Sequence, residues 1–298
     1  MERVRTPDDR FKNLPNWDFT PHYIEDLAGY ESLRVHYVDE GPKDAERVFL
    51  CLHGQPTWSY LYRKMIPEFV SSGARVIAPD WLGFGRSDKL IADKTYGFNF
   101  HRNMMIAFIN ALNLKNITLV VQDWGGLLGL TLPQEFPDQV SRLLVMNTTI
   151  AIGKPAGQGF NDWRAYNKAN PDMNIAGLMA RSTPILSDAE IAAYAAPFPD
   201  VTFKAGVRRF PDMVMTKTGM EGVDFSKRAV NFFRKDWQGD CFMAIGMQDP
   251  VLGPPIMEQL RNIIKRCPKP LLVSEAGHFV QEWGGPIATA ALRHWGDI

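Results

Sequence analysis

The sequence predicts an α/β protein with a mostly parallel sheet flanked by helices and a helical cap inserted into the sheet order. Three features carry this reading. Short β-rich runs alternate with longer helical patterns, the strand rhythm stops after Asn147 and resumes near Phe242, and a sharp strand-to-helix turn lies at Val121 to Gly126. The β-rich runs are Leu33 to Val38, Val48 to Leu52, Ala74 to Ala78, Ile117 to Val121, Leu143 to Met146, Phe242 to Gly246 and Leu271 to Val273. Phe98, Phe100, Met104, Met105, Phe108, Ile109 and Leu112 recur at three- and four-residue steps, as in a helix packed on a sheet face, so its methionines read as core. From Ala151 to about Gly219 the text is helix-like and broken by Pro155, Pro171, Pro184, Pro197, Pro199 and Pro211. Its aromatic and aliphatic residues, among them Phe160, Trp163, Tyr194 and Phe198, argue for a folded cap over a disordered linker. The expected division is therefore 1–150 and 220–298 as two parts of one core, with 151–219 as the cap.

At 298 residues and 45% hydrophobic, the chain is long enough for one large domain or a core with an inserted subdomain. Its 33 basic residues balance 33 acidic ones, so no general field draws in nucleic acid or an anionic membrane, and a small neutral ligand fits better. Cys51, Cys241 and Cys267 lie far apart in no zinc or redox spacing and read as buried reduced thiols. The first seven residues form no apolar signal region, and no stretch reaches the roughly 18 apolar residues of a membrane span. A cytoplasmic monomer without nucleic-acid or membrane partners is expected.

The run Val121-Gln122-Asp123-Trp124-Gly125-Gly126 follows a strand and opens an apolar segment. A nucleophile elbow lifts one side chain from a strained turn at the top of a parallel sheet and needs small neighbours for backbone clearance. Gly125 and Gly126 supply the clearance, Val121 matches the first small position only loosely, and an aspartate stands where serine would be. A serine elbow implies acyl transfer, whereas a carboxylate can displace a leaving group from saturated carbon and form an ester for later hydrolysis. The competing reading of the same residues is an aspartate that caps a helix.

The strand ending at Leu52 runs into His53-Gly54-Gln55-Pro56-Thr57-Trp58, a turn that can present a backbone N–H. In the α/β-hydrolase fold, built on an eight-stranded sheet, the oxyanion hole takes one N–H from this loop and one from the residue after the nucleophile. Those donors would be the amides of Gln55 and Trp124. A plain structural turn is the alternative. Asp249 follows the run to Gly246 and His278 follows the run to Val273, both beyond strand ends, where ligands bind in open α/β sheets. The order Asp123, Asp249, His278 is the nucleophile–acid–histidine order of that fold. Asp249-Pro250 also fits a simple turn.

Trp17, Trp58, Trp81, Trp237, Trp283 and Trp295 read as packing. Trp124 follows the nucleophile directly, where its indole reaches the pocket; an indole N–H is a donor only, and a departing halide is an acceptor. Trp163, early in the cap, can supply a second donor from above, although cap packing is its blander role. No His/Cys/Asp/Glu cluster has metal-ligand spacing, and neither a phosphate-cradling loop nor a dinucleotide turn is present, so no metal and no cofactor is expected.

These residues resemble the haloalkane dehalogenases, the dichloroethane-degrading type in particular, over nearly the whole chain. The likeness includes Arg5-Thr6-Pro7-Asp8-Asp9-Arg10-Phe11, Cys51 to Arg63, Val121 to Gly126, Ala195-Ala196-Pro197-Phe198-Pro199-Asp200 and Ala276 to Glu282. The resemblance implies Asp123 as nucleophile, His278 as water-activating base, Asp249 as its acidic partner, Trp124 and Trp163 as halide donors, and Phe160, Leu127 and Leu252 in the substrate pocket. It also shows departures. The dichloroethane type usually has Glu at the position of Gln55, Leu127 replaces an aromatic pocket residue, and the segment from Asn147 to Trp163 is shorter. Many other members place a halide-binding Asn at the position of Gln55 and a Glu acid after the sixth strand, where Asn147 and Thr148 stand here.

The implied function is hydrolysis of a small haloalkane by water to an alcohol and halide through an aspartyl ester. An epoxide hydrolase shares the aspartate elbow but needs cap tyrosines, for which Tyr166 and Tyr194 are available. A non-enzymatic receptor on the same fold is the third reading, against which the complete set of nucleophile, acid and base speaks.

Overall fold

A computed structural model describes residues 2–298. Its central sheet has eight strands: β1 (His22–Ile24), β2 (Val35–Glu40), β3 (Val48–Leu52), β4 (Arg75–Pro79), β5 (Ile117–Val121), β6 (Val140–Met146), β7 (Asp240–Gly246) and β8 (Leu271–Val273). They lie in the order β8-β7-β6-β5-β3-β4-β2-β1, with β1, β2 and β4 paired antiparallel and every other neighbour parallel. Strands β3 and β5 are apolar at nearly every position and fully buried, as central strands covered on both faces must be. The seven β-rich runs correspond to β2 through β8. The eighth, β1, is a half-buried edge strand of three residues, and Arg3–Val4 pairs with Lys89–Leu90 in a small separate sheet.

Ten helices flank or cover the sheet: α1 (Ile66–Ser71), α2 (Phe98–Ala111), α3 (Trp124–Gly129), α4 (Gln158–Ala169), α5 (Ile175–Ser182), α6 (Asp188–Ala195), α7 (Ala205–Met213), α8 (Val223–Lys235), α9 (Pro254–Arg261) and α10 (Gly284–Trp295). Helix α2 buries Met104, Met105, Phe108 and Ile109 in the core. The chain leaves the sheet at Met146 and rejoins it at Asp240, on adjacent strands. Ser187 and Glu190 begin α6 with a reciprocal capping box. No helix is long and apolar enough to cross a membrane among the described residues. Cys241 and Cys267, 26 positions apart in sequence, bring their buried thiols to 3.3 Å as free cysteines.

Register sets the position of the site. Leu52 pairs with Val121, Val121 with Val145, Met146 with Ala244, and Gly246 with Val273. The carboxyl ends of five parallel strands therefore share one edge, from which the loops carrying Gln55, Asp123, Asn147, Asp249 and His278 emerge.

A buried ion cluster ties this edge to the helices above it. Arg63 is fully buried; its Nη1 and Nη2 donate to Glu282 at 2.6 and 2.8 Å, and Nη2 also donates to Glu190 on α6 at 2.6 Å. Tyr194 on α6 donates its hydroxyl to Glu282. Glu282 lies four residues beyond His278, so the clamp joins three distant stretches of chain. Removing the guanidinium leaves two carboxylates, one of them fully buried, with only the partly exposed Lys64 ammonium near them, which costs up to about 3–5 kcal/mol. Arg63→Met should therefore lose about that much stability in urea denaturation; a loss below about 1 kcal/mol would show that the clamp is dispensable.

Candidate active site

Asp123 stands between β5 and α3 with φ 50° and ψ −123°, a conformation that costs a non-glycine residue about 1–3 kcal/mol and persists only where its surroundings fix it. The fixing contacts are dense. Its N–H donates to the Asn147 carbonyl at 3.0 Å, and its carbonyl accepts from the Thr148 hydroxyl at 2.7 Å and from the Gly126 and Leu127 amides at 3.0 Å. A Cβ on Gly125 would lie 1.9 Å from the Leu52 carbonyl oxygen, and one on Gly126 would lie 2.0 Å from the Thr148 hydroxyl. Both glycines are thus required by the turn.

The carboxylate of Asp123 does not cap α3. Its Oδ1 accepts from the Gln55 amide at 2.8 Å, and its Oδ2 lies 3.5 Å from His278 Nε2. This geometry favours the elbow reading of the hexapeptide over the helix-cap reading. Gly54 allows the close approach, since a Cβ there would meet Asp123 Oδ1 at 2.4 Å. The Gln55 side chain turns away and donates to the Val207 carbonyl on α7 at 3.0 Å, so it links the loop to the covering helices. Where a Glu would bring charge, this chain has a neutral structural tie.

His278 is held on its other side. Its Nδ1 lies 2.8 Å from Asp249 Oδ2, and Asp249 in turn accepts from the Asn147 side chain at 3.0 Å and from the Val251 and Leu252 amides at 2.8 and 3.1 Å. Burial alone pushes the Asp249 carboxyl up, but the His278 charge and these donors outweigh it and hold the group at about 2. Burial pushes the His278 imidazole down, yet the carboxylates of Asp249 and Asp123 raise it to about 10. Both carboxylates therefore favour the charged form of the His278 ring.

A cavity of about 780 Å³ opens over this set and is lined by Gln55, Asp123, Trp124, Asp249 and His278 together with Leu127, Phe160, Trp163 and Leu252. Every site residue singled out in the sequence therefore borders one space. Trp58 and Trp81 donate their indole N–H groups to backbone carbonyls, whereas Trp124 and Trp163, like Trp237 and Trp295, have no protein acceptor among the described residues; of these four, Trp124 and Trp163 alone line the cavity. Phe210 packs against Trp124 with ring centroids 4.8 Å apart and fixes its plane. Tyr166 and Tyr194 do not line the cavity. Tyr166 is turned outward against Arg181, and the Tyr194 hydroxyl is engaged with Glu282 and Arg63. The sequence reading missed two polar residues that bear on the triad. Asn147 bridges Asp249 and the Gly246 backbone, and Gln122 touches the His278 ring. A polar residue directly after an apolar strand run is the only signal either gives in the sequence.

Comparison with known proteins agrees with this architecture. A family profile described as the alpha/beta hydrolase fold matches residues 47–285. The chain is 42% identical over 287 residues to a haloalkane dehalogenase of Psychrobacter cryohalolentis, covering 95% of this chain and 94% of the relative. It is 37% identical to a haloalkane dehalogenase of Mycolicibacterium paratuberculosis, with 99% and 98% covered. Among solved structures, haloalkane dehalogenase DpaA from Paraglaciecola agarilytica superimposes with a TM-score of 0.97 at 51% identity over 98% of each chain. That protein is described as tetrameric, in contrast to the monomer expected from the sequence of this one. With its sheet, its elbow and these full-length relatives in agreement, the chain belongs to the haloalkane dehalogenase family of the α/β-hydrolase fold.

Proposed function

We propose that this chain hydrolyses the carbon–halogen bond of a small haloalkane with Asp123 as the nucleophile. The single observation that carries the assignment is the unbroken line of contacts from Asp123 through His278 to Asp249 on the wall of a cavity that also holds two free indole donors. An Asp123 carboxylate oxygen attacks the halogen-bearing carbon, the carbon–halogen bond breaks, and the halide takes hydrogen bonds from the Trp124 and Trp163 indoles. Water then attacks the carbonyl carbon of the Asp123 ester while His278 Nε2 takes its proton and Asp249 balances the imidazolium. The Gln55 and Trp124 amides receive the oxyanion, which collapses to release the alcohol and restore the carboxylate. Residues 151–219 act as the cap that keeps bulk water from these charges.

The cavity lining favours halide over epoxide. Ring opening of an epoxide needs an acid on its oxygen, and neither Tyr166 nor Tyr194 offers its hydroxyl to the cavity. The charge on His278 also suits the two-step scheme. Esterification removes the negative charge of Asp123, one of the two groups that raise the imidazole, so the ring loses protons more readily when a base is needed.

His278→Gln should release halide in one turnover and then stop, and intact-mass and peptide mapping should find one added alkyl group on Asp123. Repeated turnover by this variant, or an adduct on another carboxylate, would overturn the assignment.

Trp163→Phe should weaken bromide binding, read by quenching of tryptophan fluorescence, by about 1.5–3 kcal/mol, the worth of one hydrogen bond to a charged group. Unchanged affinity would remove Trp163 from the halide site.

Because the folded His278 titrates near 10 against an ordinary value of 6.5, its stabilisation is complete below about pH 6.5 and disappears as pH rises through 10. The wild-type melting temperature should fall across that window relative to His278→Gln, as followed by scanning calorimetry. Parallel curves for the two proteins would contradict the raised value.

A further inference from the structure

We propose that Gln122 is a positioning residue that holds the His278 ring in its Nδ1–H form, leaving the Nε2 lone pair for the water proton. The proposal rests on His278 as the base of the second step.

The Gln122 side chain is buried directly behind the elbow. Its amide nitrogen lies 3.0 Å from the His278 backbone carbonyl and 3.0 Å from His278 Nε2. A backbone carbonyl can only accept, so the NH₂ end of the carboxamide must face it; the flipped amide would set oxygen against oxygen. One N–H therefore points to the carbonyl and the other to the ring nitrogen. A donor aimed at Nε2 is compatible with a lone pair there and opposes a proton. The Gln122 oxygen, buried without any partner, shows that this side chain is not held in place by its acceptor end.

The titratable groups in contact with the ring are Asp249 on Nδ1 and Asp123 on Nε2, and both favour the cation; Phe279, edge-on at 5.0 Å between centroids, is uncharged. Gln122 is the one polar contact that pulls the other way. In the free enzyme both carboxylates act against it. Once Asp123 is an ester, only Asp249 remains against it, and the balance moves toward the neutral base. As water approaches Nε2, the second N–H of Gln122 keeps its bond to the His278 carbonyl, so the ring stays aligned while the lone pair is released. Because Gln122 is the residue before Asp123, the same stretch of chain sets the positions of nucleophile and base.

The test separates the two chemical steps in Gln122→Met, which keeps length but removes both donors, and in Gln122→Glu, which is nearly isosteric and presents acceptors. Rapid mixing with 1-bromobutane, acid quench and intact-mass measurement give the rates of alkyl-enzyme formation and decay between pH 6 and 10. Gln122→Met should form the alkyl-enzyme within about threefold of the wild-type rate. Its ester should decay about tenfold more slowly near neutral pH and recover at alkaline pH, because loss of one hydrogen bond moves the controlling titration by about one pH unit. Gln122→Glu should move that limb further in the same direction. Equal slowing of decay at every pH, or slowed formation with an unmoved limb, would overturn the proposal. A wild-type enzyme whose decay does not depend on His278 would instead overturn the assignment of the base.

Discussion

The backbone of Asp123 is the constraint on which the rest of the site depends. A positive φ at a residue with a Cβ is unfavourable, and here it is held by β3, β5 and β6 acting together. The Asn147 carbonyl and Thr148 hydroxyl grip the turn from one side, while the Leu52 carbonyl leaves no room for any side chain at Gly125. The reward of that geometry is direction. The carboxylate leaves the helix it precedes and faces both the Gln55 amide and His278, so one oxygen is bound and the other lies beside the imidazole.

Around this point the site balances charges that cannot each be satisfied alone. Two carboxylates flank one imidazole, and both raise its affinity for a proton. In the proposed reaction esterification of Asp123 would remove one of the two carboxylates that raise the histidine, and so favour its neutral form for the second step. The His278 charge, with the Asn147 side chain and the Val251 and Leu252 amides, holds the Asp249 carboxyl low against its burial.

Much of this was legible in the sequence because its determinants are local. Runs such as Ile117 to Val121 are apolar at almost every position, the glycines of the elbow adjoin the residue they serve, and the order of Asp123, Asp249 and His278 follows from strand ends. Strand β1 was not legible because three half-buried residues at a sheet edge carry no alternation worth reading. The Arg63 clamp was hidden for a different reason. Its partners lie 127 and 219 positions away, and no local pattern distinguishes a buried arginine from a solvated one. Gln122 and Asn147 belong to the same class, being polar residues whose purpose appears only when two loops meet. The tryptophans differ in a way that composition cannot show, since the indoles of Trp58 and Trp81 are bonded to carbonyls and those of Trp124 and Trp163 line the cavity.

The long excursion between β6 and β7 leaves and returns on neighbouring strands, so its two roots stand side by side. The triad lies entirely outside it: Asp123 precedes the departure, and Asp249 and His278 follow the return. Phe160 and Trp163, by contrast, belong to the excursion itself. Exchanging this segment would therefore rebuild the roof of the cavity, while Leu127, Leu252 and the three titratable residues beneath it stay where the sheet holds them.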